Sequence, residues 1–245
     1  MKKILFAIAH AVVATACHTS QEEGEVKVGK IAINATTRSE VSENTDGKFV
    51  LSESLVPSAE ELKVEIEGNG ETFAWATLAE FNTANEGLRF ISAPYAITLS
   101  YGEKGVEGWS KAYYEGSTSV EVPMYGLTAE AYIEVILQNS IVAIEATDNF
   151  KGYFPQRTFK VKNIEWDAAK EELLFLNAGN VKVTCEAVSQ TGKASTFETV
   201  VTLKSTTRHT VLFDLSTAGN AKVDVTFDGQ LVEVVEQEFE LNENA

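Results

Sequence analysis

Along most of the chain, apolar and polar residues alternate with period two, the pattern of strands that bury one face. Leu62, Val64 and Ile66 alternate with Lys63, Glu65 and Glu67. Tyr95, Ile97, Leu99 and Tyr101 share one parity, and Val120, Val122 and Met124 another. In the last third the sets are Phe197, Thr199, Val201 and Leu203, then Val211, Phe213 and Leu215, then Val223, Val225 and Phe227. Gly, Asn, Asp and Ser punctuate these runs where turns are needed. The pattern predicts an all-β protein in which only Thr77 to Thr83 reads as a helical turn. Val26 and Val28 fall on one parity and Ile31 and Ile33 on the other, so a β-bulge at Gly29 is expected to restore the inward face.

The alternation also hints at an internal repeat. F-I-S-A-P-Y-A-I-T-L-S-Y-G from Phe90 is similar to F-L-N-A-G-N-V-K-V-T-C-E-A from Phe175, and the strands that follow each pair loosely. Units near 100 residues with about seven short strands suit β-sandwiches. The expectation is two of them, of transthyretin or immunoglobulin type, at 26–150 and 156–245. The turn-rich stretch D-N-F-K-G-Y-F-P-Q, Asp148 to Gln156, marks the boundary.

The first residues depart from this pattern. Lys2 and Lys3 precede an apolar run, Ile4 to Ala14, interrupted only by His10. As a helix that run spans roughly 16 Å, too short for a hydrocarbon core of about 30 Å. Residues 1–16 therefore read as a signal peptide. A-T-A-C, Ala14 to Cys17, resembles a bacterial lipobox, although Ala14 stands where Leu is usual. Cys17 is then the lipidation site, and an ordinary secretory cleavage near Ala16 is the alternative. Residues 17–25 form an acidic tether, which either is merely solvated or resembles the surface-export signal of Bacteroidetes lipoproteins. Several acyl chains on one cysteine suffice for stable anchoring. They would have to suffice alone, because losing Lys2 and Lys3 takes the formal charge from -16 to -18, which offers anionic lipid no attraction.

That charge also argues against nucleic acid as a partner. Cys185, on the parity of Val181 and Val183, reads as a small buried hydrophobe rather than a reactive thiol. His209 is the only histidine after the tether, shares parity with Val211 and Phe213, and reads as packing. No nucleophile or metal motif of known spacing occurs. Neither enzymatic activity nor a cofactor or metal is expected. The aromatic segment W-S-K-A-Y-Y-E-G offers Trp109, Tyr113 and Tyr114 as candidate binding residues for a glycan or a peptide. The same rings could instead plug the end of the first sandwich.

Together the lipobox-like start, G-K-I-A-I-N-A-T-T-R, A-Y-Y-E-G-S-T-S-V-E-V and I-V-A-I-E-A-T-D-N-F-K-G-Y-F resemble Bacteroidales lipoproteins that carry a domain of unknown function. In layout these are similar to fimbrillin-type pilus proteins. The resemblance implies two transthyretin-like β-sandwiches and a lipid anchor in the outer membrane, facing outward. It also implies a structural or adhesive role, with other pilus subunits or a host or glycan surface as partners. In fimbrillin-like proteins an arginine-specific protease removes the first strand, and subunits then assemble by strand exchange. Arg38, in T-T-R-S, is the matching candidate protease site. No special C-terminal strand is evident. A lipid-tethered glycan- or peptide-binding module is the alternative.

Overall fold

The structure is a computed structural model and describes residues 27–217, 222–227 and 230–236; side chains are described up to Leu215. The expected signal peptide, Cys17 and the tether lie outside the described residues. In chain order the elements are β1 (Val28–Thr37), β2 (Glu40–Glu43), β3 (Gly47–Val50), β4 (Lys63–Gly68), β5 (Glu71–Trp75), α1 (Leu78–Asn85) and β6 (Phe90–Ile91). There follow β7 (Pro94–Tyr101), β8 (Gly108–Trp109), β9 (Tyr114–Glu121), β10 (Thr128–Leu137), β11 (Ser140–Ala146), α2 (Asp148–Tyr153), β12 (Gln156–Val161) and β13 (Ile164–Trp166). The chain continues through β14 (Leu174–Leu176), β15 (Gly179–Val188), β16 (Ala194–Leu203), β17 (Thr207–Thr217), β18 (Lys222–Phe227) and β19 (Gln230–Glu236). The protein is all-β, as the alternation predicts.

The strands gather around two cores. Ile31, Ile33, Val64, Ile66, Ile97, Leu99, Ile133 and Val135 belong to the first, which takes its residues from β1 through β10 together with Ile141 and Phe175. Val142, Val161, Val183, Cys185, Val211 and Phe213 belong to the second. The inward parities read from the sequence are the buried ones: Leu62, Val64 and Ile66 are at most 1% exposed. Asp148 to Gln156 is no open turn. It forms α2, capped by the Thr147 side chain, and seats Phe150 and Phe154 fully inside the second core.

The same pairing scheme occurs twice. β1 runs parallel to β10 and antiparallel to β6, and β11 runs parallel to β17 and antiparallel to β14. The order β5-β4-β7-β9 in the first half recurs as β13-β12-β15-β16 in the second. The repeat needs one adjustment. Matching Phe90 with Phe175 without a gap sets Tyr95 against Asn180, whereas the buried residues are Tyr95 and Val181. A one-residue step between β7 and β15 restores the inward parity.

The bulge expected at Gly29 is absent. β1 keeps continuous register with β10 from Lys30 to Thr37, and its inward parity is Gly29, Ile31 and Ile33, with Val28 on the other face. Gly29 occupies an inward position too tight for a side chain: a Cβ there would lie 2.3 Å from the Pro123 carbonyl oxygen. What looked like a slip in the pattern is a missing side chain at a close approach.

The halves are joined by more than the chain. The β2–β3 hairpin leaves the first half and pairs parallel to β17, with an Arg208–Glu43 ion pair at 3.0 Å. The Asn44 side chain extends the ladder: its Oδ1 accepts from Thr210 N–H at 3.0 Å and its Nδ2 donates to the Thr210 carbonyl at 3.2 Å. From the other side, β8 pairs with β14. Between them Asn139 is buried, accepting from Tyr113 N–H at 2.6 Å on its side chain and from Thr206 N–H at 2.9 Å on its carbonyl. The buried Ser140 hydroxyl donates to the Thr207 carbonyl at 3.0 Å. Buried polar groups bonded in this way favour one geometry, because an alternative would leave them unsatisfied.

Candidate functional site

The aromatic segment is divided between the two cores. Tyr114 is fully buried in the first, its hydroxyl donating to the Leu55 carbonyl at 3.1 Å, and burial pushes its phenol up to about 12. Tyr113 is also buried. Its hydroxyl donates to Glu115, which in turn pairs with Lys104 at 3.0 Å. Burial and the adjacent carboxylate both raise the Tyr113 phenol, and the bond from Tyr113 lowers the Glu115 carboxyl. Trp109, half-buried, packs instead on the second core, with its ring centroid 5.2 Å from that of Trp166. The three rings therefore do not share one binding face.

Arg38 follows β1 and is held. Its Nε and Nη2 donate to the two carboxylate oxygens of Glu134 on β10, at 2.9 and 2.5 Å. Its backbone N–H donates to the Val135 carbonyl at 2.9 Å. This bidentate contact raises the guanidinium and lowers the carboxyl. Cys185 is fully buried, and desolvation pushes its thiol up to about 12. His209 is half-buried on β17, opposite Val142. Among the described residues no three His, Cys, Asp or Glu side chains stand where they could share a metal ion, and no helix is long and apolar enough to cross a membrane.

An open groove of about 770 Å³ lies on the second half, between the end of β11, α2, β12 and the turn after β13. Phe159 and Trp166, cross-strand neighbours on β12 and β13, form its aromatic wall. Lys151, Arg157 and Lys170 contribute positive charge, and Glu145, Glu165 and Asp167 negative charge. Arg157 is fixed through Nη1, which donates to the Phe154 carbonyl at 2.9 Å. Lys170 lies over the Trp109 ring, 4.8 Å from its centroid.

A family model described as a domain of unknown function (DUF4493) matches residues 22–243. The chain belongs to this family. The expectation of a domain of unknown function is thereby met, and no curated protein matches this DUF4493 chain. Solved structures similar to it share few residues. Polysaccharide-binding proteins, provisionally so named, from Bacteroides thetaiotaomicron VPI-5482 are 8% identical with a TM-score of 0.43, covering 86% of this chain and 99% of theirs. A protein from Bacteroides fragilis NCTC 9343, provisionally named for cell adhesion, is 9% identical with a TM-score of 0.37, covering 82% of this chain and 97% of its own. A fimbrial protein from Bacteroides ovatus ATCC 8483 is 10% identical with a TM-score of 0.34, covering 84% of this chain and 54% of its own.

Sequence reading singled out none of the residues that line the groove of this DUF4493 protein; Trp109, which it did single out, packs against Trp166 of the aromatic wall. Trp166 was missed. It ends N-I-E-W, a strand of three residues after a two-residue turn at Lys162 and Asn163. The available signal was an aromatic at the end of a strand with no helix or strand close behind to cover it.

Proposed function

We propose that the chain is a cell-surface structural or adhesive protein, held at the outer membrane by lipid on Cys17 and facing outward. The observation that carries this reading is the joint between the halves. The β2–β3 hairpin, the β8–β14 pairing and the buried bonds of Asn139 and Ser140 fix two β-rich halves as one stiff body. A protein that transmits contact forces away from a membrane needs such a joint. The lipobox-like A-T-A-C supplies the anchor and the acidic tether the reach.

The test is made on intact cells. Acyl labelling and surface protease shaving should both detect the wild-type chain. Cys17→Ser should abolish the label and release the chain into a soluble fraction. A Cys17→Ser chain that stays membrane-bound sinks the anchor, and a labelled chain shielded from protease in intact cells sinks the outward orientation.

In its pilus-subunit form the proposal has a specific observation behind it. β1 pairs along eight residues with β10, but on its other edge only Val28 and Gly29 pair with β6. It lies next to the margin of its sheet, and its withdrawal would detach only the two-residue β6.

A further inference from the structure

We infer that the open groove of the second half is a binding site for a neutral oligosaccharide. The inference rests on the internal repeat. In the first half the segment between β5 and β6 is α1, and it closes the corresponding mouth. Thr77 caps this helix by accepting from Glu80 N–H at 3.1 Å, and Glu80 accepts in return from Ala76 N–H at 3.1 Å. Leu78 and Phe81 are then buried, with the Phe81 ring 5.0 Å from Trp75 on β5. Asn85 ties the helix end to the Ile31 carbonyl on β1 at 2.7 Å.

In the second half the equivalent segment, between β13 and β14, has no helix. Asp167 starts a tight turn, its carboxylate accepting from Ala169 N–H at 2.9 Å, and the chain runs irregularly to Leu174. Nothing like Phe81 enters, so Trp166 and Phe159 stay partly exposed at a mouth of about 770 Å³. That size lies within the range of about 300–1,000 Å³ usual for ligand sites.

The lining selects the ligand class. An aromatic face packs well on the C–H face of a sugar ring, while hydroxyls need both acceptors and donors around its edge. Glu145 and Glu165 supply acceptors: neither carboxylate is in a hydrogen bond or ion pair with any described residue. Lys151 supplies a donor, its only ion pair among the described residues being a long 3.5 Å contact with Asp148. Three cations face three carboxylates, so the groove has no net charge. The full sequence, with a formal charge of -16, repels polyanions. A neutral glycan fits where an acidic one does not. The assignment deepens the surface reading, because a chain outside the cell meets glycans directly.

The full chain with Cys17→Ser, purified in solution, should be titrated with maltotetraose, cellotetraose, xylotetraose and mannotetraose, and with a hyaluronan tetrasaccharide as the anionic comparison. Calorimetry and tryptophan fluorescence are the readouts. At least one neutral tetrasaccharide should bind saturably with Kd below about 10 mM, and Trp166→Ala should weaken it about tenfold, roughly 1.4 kcal/mol. Glu145→Gln and Glu165→Gln, both on the exposed rim, should weaken it severalfold with unchanged circular dichroism, which separates lost contact from lost fold. Tyr132→Ala, exposed on β10 of the other half, should change nothing. The site is overturned if no neutral sugar binds, if binding survives Trp166→Ala, if hyaluronan binds more tightly, or if the groove instead takes a second copy of the chain. Because the measurement needs no cells, its failure leaves the surface reading standing, and failed surface labelling leaves the site standing.

Discussion

The Thr206 hydroxyl donates to the carbonyl of Leu137, 2.7 Å away and 69 residues earlier in the chain. Leu137 is the last residue of β10 and Thr206 the last before β17, so this bond spans the joint. Thr206 also donates its N–H to Asn139 and accepts from Ser42 N–H at 3.0 Å. It does so at φ 56°, a left-handed conformation that a β-branched residue resists. A strained residue persists when its surroundings over-determine it, and here three residues from two segments do. Thr206→Val keeps the strain and leaves the Leu137 carbonyl without its partner. It should destabilise the fold by about 1–3 kcal/mol. Thr206→Asn, which tolerates this conformation and keeps an N–H donor, should cost less. Urea denaturation of both variants checks the order, and equal losses would show that the hydroxyl bond is immaterial.

Two glycines should respond with opposite sign. At Gly116 on β9 a Cβ would lie 2.3 Å from the Glu134 carbonyl oxygen, against backbone that cannot give way. Gly116→Ala should cost about 1–3 kcal/mol through overpacking. Gly152, inside α2, meets nothing within 4 Å. Gly152→Ala should stabilise by about 0.5–1 kcal/mol through helix propensity. Thermal unfolding measures both.

The joint should weaken in acid. Burial alone would raise the Glu107 carboxyl, but hydrogen bonds from Lys162 and from Asn177 N–H, with the lysine charge, outweigh it and hold the group below the ordinary carboxylate range. A carboxyl depressed in the folded state contributes stability above its unfolded value of about 4.3 and loses it as pH falls through the folded value. Wild type should therefore exceed Glu107→Gln in melting temperature at pH 7, with the gap closing below about pH 4. A gap independent of pH would remove the charge from the explanation.

Cys185 gives a direct reading of the second core. In Cys17→Ser the only remaining thiol is Cys185, fully buried and pushed up to about 12 by desolvation. The thiolate is the reactive form, so a disulfide reagent at pH 8 should find no thiol in the folded chain and one in denaturant. Rapid labelling of the native protein would show that the core opens.

Much of this was legible in the sequence because a half-buried strand writes its inward face directly as alternation. Cys185, Val64 and Phe213 needed nothing more. Gly29 misled because a residue without a side chain leaves no mark of which way it faces. The joint was invisible for another reason: Asn139, Thr206 and Ser42 are ordinary polar residues until the fold brings their backbones together. The groove could not be read either, since it is defined by what fails to cover Trp166. That absence is apparent only beside α1 in the other half.

Arg38 is where the pilus form of the proposed function meets the structure. Cleavage requires the chain around the scissile bond to open into a protease site. Here the Arg38 side chain is clamped by both oxygens of Glu134, and its N–H is bonded to Val135. An arginine-specific protease should therefore cut the native chain slowly at Arg38. Glu134→Gln should speed that cut while leaving other sites unchanged, since only the clamp is loosened. The consequence of cutting is the decisive part. Ile31 and Ile33 on β1 are buried in the first core, so if the strand leaves, it exposes an apolar groove and the bare edge of β10. A strand from another copy can then pair there. Under this form, cleavage yields oligomers that grow with concentration, and Arg38→Ala prevents both cleavage and assembly. If cleavage leaves a monomer that still carries β1, seen by mass spectrometry of the intact complex, the strand is permanent. The chain is then not a strand-exchanging subunit.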